Sequence, residues 1–338
     1  LPVRSILRFK SVCKSWLSLI SDPEFTRSHF ALDATPTDRL FLPVNPYHLD
    51  CTDIDASLDD NSAKVVFNCP LPSPDVKYGC TVDIVGSCRG FILLVTNGVF
   101  DFIIWNPSTG LRKGIGYDDA HYDFDDDRCG FGYDSSTDDY VIVNLTSEWW
   151  FTEVHCFSLR TNSWSCILGT VLYYPFGHRH GVLLNGALHW LVRPCDRYEA
   201  VIISFDVTER RLSEIPLPHH FTIKGQIYDL GVMGGCLCLC VAEMGYGTAI
   251  WTMKQYKVHS SWTELFVPLY NQYHPFLPAF YPICSTKKGK FLGSNYQTLV
   301  KLNDKGELLE HHAHWHNMEN SILLRCGVYR ESLLSLPE

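Results

Sequence analysis

Tight-turn signals recur along this chain at a step of roughly fifty residues, and that spacing limits the folds open to it more than any other feature. They fall at Arg89-Gly90, around Thr137-Asp138, at Asn185-Gly186, at Gly234-Gly235 and at Lys288-Gly289, each between two apolar runs. A second marker keeps the same period, an aromatic or apolar strand end that runs into a polar turn. It is seen at Trp105-Asn106-Pro107-Ser108, Phe157-Ser158-Leu159-Arg160, Phe205-Asp206-Val207-Thr208, Tyr256-Lys257-Val258-His259 and Val300-Lys301-Leu302-Asn303. Two independent markers in step define a true repeat, and a repeat of this length is the size of a β-propeller blade of four short strands.

The hairpins supply the physical reason for the period. GVLLNGALHWLV sets Asn-Gly between two strands, and both central residues of a type I′ turn require positive φ. GVMGGCLCLC does the same with Gly-Gly. Both runs are apolar at nearly every residue, as expected of inner strands covered on two faces, whereas runs such as EVHCFSL carry more polar residues and read as outer strands. The expected fold is mainly β, a propeller of about six blades, or seven. The strand from Arg39 to Val44 and the terminal ILLRCGVYRESLLSL are expected to share one blade, which would remove the exposed sheet edges by closing the ring. Trp105, Trp164 and Trp190 sit at strand positions and read as packing between blades.

The first twenty-five residues, LPVRSILRFKSVCKSWLSLISDPEF, have a different texture. Phe9, Val12, Cys13, Trp16, Leu19 and Ile20 follow helical spacing, with Val3, Ile6 and Leu7 as a shorter cluster ahead of them, so two short helices meeting at an angle are expected. Ser21-Asp22-Pro23 reads as their end. Such a unit is too small to bury its own core. Arg4, Arg8, Lys10 and Lys14 meet no acidic residue before Asp22; removing these four positive charges from a net charge of -9 leaves -13 for the rest. A basic hook on an acidic body suits an acidic protein partner and speaks against nucleic acid.

LPVRSILRF followed by KSVCKSWLSLISDPEF resembles the later part of the F-box motif of plant proteins. The resemblance implies docking of a Skp-type adaptor and, through it, a cullin, in an SCF-type ubiquitin ligase complex. Its adaptor-binding residues would be Pro2, Ile6, Leu7, Val12, Lys14 and Trp16. The usual motif opens with an earlier Leu-Pro and a further helix; this chain enters after them, so the expected F-box is truncated at its amino end. Further along, SCRGFILL, FIIWNPSTG, GFGYDSSTDDYVIV, VHCFSLRTNSW, LLNGALHWLV and ISFDVTERRLSEIPLP resemble the F-box-associated domain of plant F-box/kelch proteins and their S-locus F-box relatives. That likeness covers most of residues 81–217, and the later blades rest on periodicity. It implies a partial F-box at residues 1–35 and a kelch-like propeller at 36–338. The implied function is a non-catalytic substrate-recognition subunit that selects a protein target, not named by the sequence, for ubiquitination and degradation.

Other readings are weighed against this one. The chain has no apolar run of eighteen residues and no amino-terminal signal pattern, so an intracellular protein of cytoplasm or nucleus without a membrane partner is expected. Its fourteen cysteines include no CxxC pair, and Cys236, Cys238 and Cys240 alternate along one strand face; reduced core thiols are favoured over disulfides or metal. Asn144-Leu145-Thr146 is formally a glycosylation sequon. The run from Tyr117 to Asp127 is rich enough in carboxylates to hold calcium but lacks the glycine and terminal glutamate of an EF-hand loop, and a solvated acidic loop is favoured over a cation site. His311, His312, His314 and His316 lack a cysteine pair to complete a zinc shell and read as ordinary histidines; His178 and His180 read as loop residues. No G-x-S-x-G, P-loop, G-x-G-x-x-G or H-E-x-x-H motif occurs, and no cofactor is expected. On the residues alone, a stand-alone propeller enzyme or ligand-binding module with a helical cap, or an inactive truncated relic, stays open.

Overall fold

The computed structural model describes residues 1–32, 38–45, 48–60, 64–70, 82–96, 102–117, 128–147, 151–169, 171–176, 180–218, 227–243, 247–268, 280–295, 298–313 and 326–336. Among them the chain forms three α-helices and 25 strands, the strands arranged in six antiparallel sheets that fall into two compact units. The acidic run 118–127, His178, His314 and His316 lie outside the described residues. No helix is long and apolar enough to cross a membrane.

The first unit carries the helices α1 (Val3–Phe9), α2 (Lys14–Ser21) and α3 (Pro23–Leu32) and two sheets. One sheet joins β1 (Asp38–Asn45), β2 (His48–Asp53) and β3 (Val65–Asn68) to β25 (Gly327–Arg330), which pairs with β1 from Asp38↔Arg330 to Phe41↔Gly327. The two ends of the chain therefore do share a blade, as expected. The other sheet is the meander β4 (Val82–Cys88), β5 (Phe91–Thr96), β6 (Phe102–Trp105) and β7 (Arg112–Ile115). Phe41, Leu49, Ile84, Ile92, Leu94, Ile103, Trp105 and Tyr329 make one buried cluster across these two sheets, and Phe41 meets Trp105 and Tyr329 edge to face.

The second unit holds four sheets. They are β8 (Arg128–Asp134) to β9 (Asp139–Ser147), β10 (Thr152–Ser158) and β11 (Ser163–Leu168); then β12 (Tyr173–Pro175), β13 (Val182–Leu184), β14 (Ala187–Pro194), β15 (Val201–Asp206) and β16 (Arg211–Pro216). The third is β17 (Ile227–Met233), β18 (Cys236–Glu243), β19 (Gly247–Met253) and β20 (Trp262–Pro268), and the fourth β21 (Tyr281–Ser285), β22 (Phe291–Asn295), β23 (Thr298–Leu302) and β24 (Leu308–Ala313).

The repeat markers land where the sheets need them. Arg89 and Gly90, Asp138, Asn185 and Gly186, Gly234 and Gly235, and Gly289 all have φ between 47° and 80°; Asn185-Gly186 joins β13 to β14, and each of the others joins the first two strands of its sheet. The inner strands are buried on both faces: β9 and β14 each expose a single residue, Ser147 and Arg193. One expectation is corrected here. EVHCFSL lies in β10, third of its four strands, and the edge is β11, whose residues are all exposed or half-buried. The polar positions of β10 come from the face that borders β11's partly open side chains, not from an edge position.

Trp105 and Trp190 are buried; Trp164, on the edge strand β11, is half-buried against Phe157. Cys238 and Cys240 share a core cluster with Met233, Ile250 and Val300. No disulfide occurs among the described residues, although Cys13, Cys166 and Cys195 are exposed rather than core thiols. Asn144 is fully buried in β9, so the sequon has no surface on which a glycan could sit.

A buried histidine gives the second unit a measurable acid response. His189 on β14 donates from Nδ1 to the Val182 carbonyl (3.0 Å) and accepts at Nε2 from the Tyr256 hydroxyl (2.8 Å), an arrangement for the neutral ring. Burial, helped by the nearby Lys257 charge, pushes its pKa down from 6.5 to about 4. The folded state thus binds fewer protons than the unfolded one between those values, so this stability is complete above about pH 6.5 and is lost as pH falls towards 4. The loss should reach about 3 kcal/mol for a shift of this size. Asp229 acts in the opposite direction, since burial raises its carboxyl to about 7. The test is the difference in urea midpoint between wild type and His189→Gln at pH 7.5 and pH 4.5: the gap should narrow at the lower pH, and a constant gap would refute the assignment.

Candidate functional site: a moored helical surface

Each helix starts for a local reason. Pro2 stands at the start of α1, and Cys13, in an extended conformation, precedes α2. Asp22 begins α3: its Oδ1 accepts from the backbone N–H groups of Glu24 (2.9 Å) and Phe25 (3.0 Å), with Pro23 in the first turn and the Glu24 charge at the positive end. The sequence expectation that Ser21-Asp22-Pro23 only ends the helical segment is therefore corrected, because the same residues also open a ten-residue third helix. The expected single stripe from Phe9 to Ile20 is divided as well. Phe9 belongs to α1, Val12 and Cys13 lie in the connection, and Trp16, Leu19 and Ile20 belong to α2.

Three short helices cannot bury a core alone, and the carboxyl-terminal tail supplies the missing side. Val3, Ile6 and Ile20 pack with Leu333, flanked by Leu7, Phe9 and Phe25. The tail is itself fixed. Glu331 is nearly buried and receives Arg39 at 3.0 Å and Arg4 at 3.3 Å, so Arg4 is opposed in the fold though not in the local sequence. Arg330 donates to the Phe30 carbonyl at 2.8 Å and stacks 4.1 Å over the Phe30 ring. Beneath lies Asn106, fully buried: Nδ2 donates to the Leu334 carbonyl (3.0 Å), and Oδ1 accepts from Ser108 N–H (2.9 Å) and from the Tyr329 hydroxyl (3.0 Å). Burial raises the pKa of that phenol, which stays protonated as a donor.

What remains outward is an apolar surface with a basic margin. Val12 is 63% exposed, Trp16 44%, Leu17 47% and Leu19 56%, while Arg8 and Lys14 are exposed beside them. Trp16 leans on Phe9 edge to face, which fixes its ring without covering it. Of the residues expected to bind an adaptor, Pro2, Val12, Lys14 and Trp16 lie at the surface; Ile6 is buried and Leu7 half-buried in the small core. Helical spacing could not separate these two classes, because both sides of the segment are apolar and only the Leu333 contact decides which side is inward. Leu17, absent from the sequence expectation, and Leu19, assigned to the stripe, join the surface. An uncovered apolar group of this kind on a fixed mount is the candidate interaction surface of the helical segment.

The second unit offers a polar cleft of about 670 Å³ formed by the turns after β8, β10 and β15. Its carboxylates are occupied by its own turns: Asp134 accepts from Ser136 N–H and Oγ, Thr137 Oγ1 and Thr208 Oγ1, and Asp139 from Ser158 Oγ and Arg160 N–H. The hydrogen bonds to Asp134 hold its carboxyl below the usual range against the opposing effect of desolvation. These residues build the blade turns, and the cleft's hydroxyls and Arg160 are likewise spent on contacts within them. On β24, His311 is exposed, whereas His312 is half-buried, with Nδ1 2.8 Å from Asp59 Oδ1; adjacent positions on a strand face opposite ways and do not form one imidazole cluster. Elsewhere, Glu153, His155 and Cys166 bring three different metal-ligating atoms within 4.8 Å of one another.

A short helical segment followed by six antiparallel sheets defines a mainly-β propeller protein. The chain belongs to the F-box associated beta propeller domain family, whose model matches residues 41–318. The match continues well past residue 217, so the later blades rest on family likeness as well as on periodicity. Among similar proteins, the F-box protein CPR1 of Arabidopsis thaliana is 29% identical over 306 residues, spanning 79% of this chain and 69% of that protein. F-box protein At4g22390 of the same plant is 27% identical and spans 98% of this chain and 84% of its own length. A solved structure of a protein of unknown function from Bacteroides caccae superposes with a TM-score of 0.51 at 9% identity, over 87% of this chain and 100% of that one, a likeness of fold alone.

Proposed function

We propose that the chain is a substrate-recognition subunit of an SCF-type ubiquitin ligase. Residues 1 to about 35 would form the handle for a Skp-type adaptor linked to a cullin, and the propeller from residue 36 onward would hold an intracellular protein target. The observation that carries this reading is the uncovered group Val12, Trp16, Leu17 and Leu19, on helices held to the first two sheets by Glu331, Leu333 and Asn106. The relative that aligns over 98% of the chain carries the name F-box protein, which supports the same assignment for the helical end. In such an assembly the receptor contributes position, raising the local concentration of target lysines near a charged ubiquitin carrier, and needs no acid, base or nucleophile of its own.

The test is capture of a purified Skp-type adaptor by the chain and by a triple variant, Val12→Asp, Trp16→Ala and Leu19→Asp. All three positions are exposed, so the propeller's thermal transition should stay in place. Capture should fall about thirtyfold or more, the effect of losing a central anchor worth at least about 2 kcal/mol. Undiminished capture by the folded variant would refute the assignment of this surface. Lys14→Glu alone should weaken capture more at low salt than at high salt, since it reverses one exposed charge of the margin.

A further inference from the structure

Strand β10 places Glu153 and His155 two residues apart on one face of its sheet, and the ladder sets Cys166 of β11 directly opposite His155. His155 Nε2 lies 2.9 Å from Glu153 Oε2, and the thiol sulfur, ring nitrogen and carboxylate oxygen all fall within 4.8 Å of one another. We propose that Glu153, His155 and Cys166 form a site for a borderline-soft divalent cation of the zinc type, with three protein ligands and an open fourth position. The site is independent of the adaptor-docking surface and does not rest on the ligase assignment.

The donor set carries the argument. A thiolate with an imidazole and a carboxylate favours zinc and its neighbours over magnesium or calcium, which take oxygen ligands. A tetrahedral zinc with bonds of about 2.0–2.3 Å holds its ligand atoms roughly 3.5 Å apart, so closing the site takes about an ångström of side-chain adjustment. Cys166 is exposed on the edge strand, and the Glu153 and His155 side chains retain 21% and 14% exposure, so an ion can reach all three. The neighbouring Cys156 points to the opposite face of the sheet and is buried there. Binding would transfer the Cys166 thiol proton to solvent, and the thiolate and carboxylate together match the charge of a divalent ion. Two ligands at i and i+2 on an inner strand, with the third fixed across the ladder, make a partly pre-organised cradle. Water, or a side chain of a bound partner, can fill the fourth position.

The probe is Co²⁺ added alone to the reduced, chelator-treated full chain. One equivalent should produce a thiolate-to-cobalt charge-transfer band with visible bands of tetrahedral intensity, release about one proton, and be displaced by Zn²⁺. Cys166→Ser leaves the other thirteen of the fourteen cysteines in place and, being an exposed change, should fold; the charge-transfer band should vanish. Glu153→Gln and His155→Ala should each weaken cobalt binding about tenfold or more, since losing even an outer-shell partner costs that much. Absence of the band in the wild-type chain would overturn the site, as would a band that survives Cys166→Ser at unchanged affinity.

Discussion

Asn106→Ala should lower stability by about 2–5 kcal/mol and release the helical segment before the rest of the chain unfolds. The asparagine is fully buried and joins Ser108, Tyr329 and the Leu334 carbonyl at distances between 2.9 and 3.0 Å. Truncation removes the donor from the Leu334 and Ser332 carbonyls, at about 1–3 kcal/mol each, while Ser108 N–H and the Tyr329 hydroxyl still bond to each other. The tail it holds carries Leu333, the outer wall of the Val3, Ile6 and Ile20 cluster, and Glu331, the acceptor for Arg4 and Arg39. Hydrogen exchange by mass spectrometry should therefore show α1 to α3 exchanging faster in the variant, while peptides from β18 keep their protection under native conditions. Asn106→Asp keeps the Oδ1 acceptor and loses the donation to Leu334, so it should fall between wild type and alanine. A loss below about 1 kcal/mol, or uniform acceleration across both units, would show that Asn106 does not moor the helices.

The second large effect is expected at Trp190. Its indole is 1% exposed in the cluster with Val143, Leu188, Ile203 and Phe205, and it lies against two glycine backbones. A Cβ at Gly181 would come within 2.5 Å of the ring, and one at Gly130 within 2.8 Å. Trp190→Ala should cost about 3–5 kcal/mol, the range for deleting a large buried aromatic into a site that cannot collapse. Gly181→Ala should destabilise for the opposite reason, because an added methyl meets a rigid ring. Nε1 of the indole finds no hydrogen-bond partner among the described residues, so Trp190→Phe forfeits volume without breaking a bond and should cost less than the alanine change. Urea midpoints of the three variants give the order; Trp190→Phe as damaging as Trp190→Ala would refute this account of the packing.

The blades were legible because their turns are local. Asn185-Gly186 and Gly234-Gly235 adopt positive φ that few other pairs tolerate, so turn chemistry written in two residues sets the register of whole hairpins. Asp22-Pro23-Glu24 was equally local and was read only as a stop, although an Asp cap, a first-turn proline and an early acid are also a helix start. The uncovered apolar side of the helices was legible as a region and not as a set of residues. Ile6 and Trp16 both belong to apolar helical clusters, and the choice between core and surface depends on Leu333, more than three hundred positions away.

The sequence by itself determined the period, the strand content, the shared blade of the two chain ends and the helical character of the first thirty residues. The period, strands and helices follow from φ preferences, hydrophobic spacing and two-residue turns, which act within a few positions of one another, whereas the shared blade followed from the need to close exposed sheet edges. Tertiary structure alone decided which apolar side of the helices stays uncovered, how Asn106 and Glu331 fix them to a blade, and that Glu153, His155 and Cys166 meet. Those outcomes depend on side chains brought together across a ladder or from opposite ends of the chain, and no local preference encodes such a meeting.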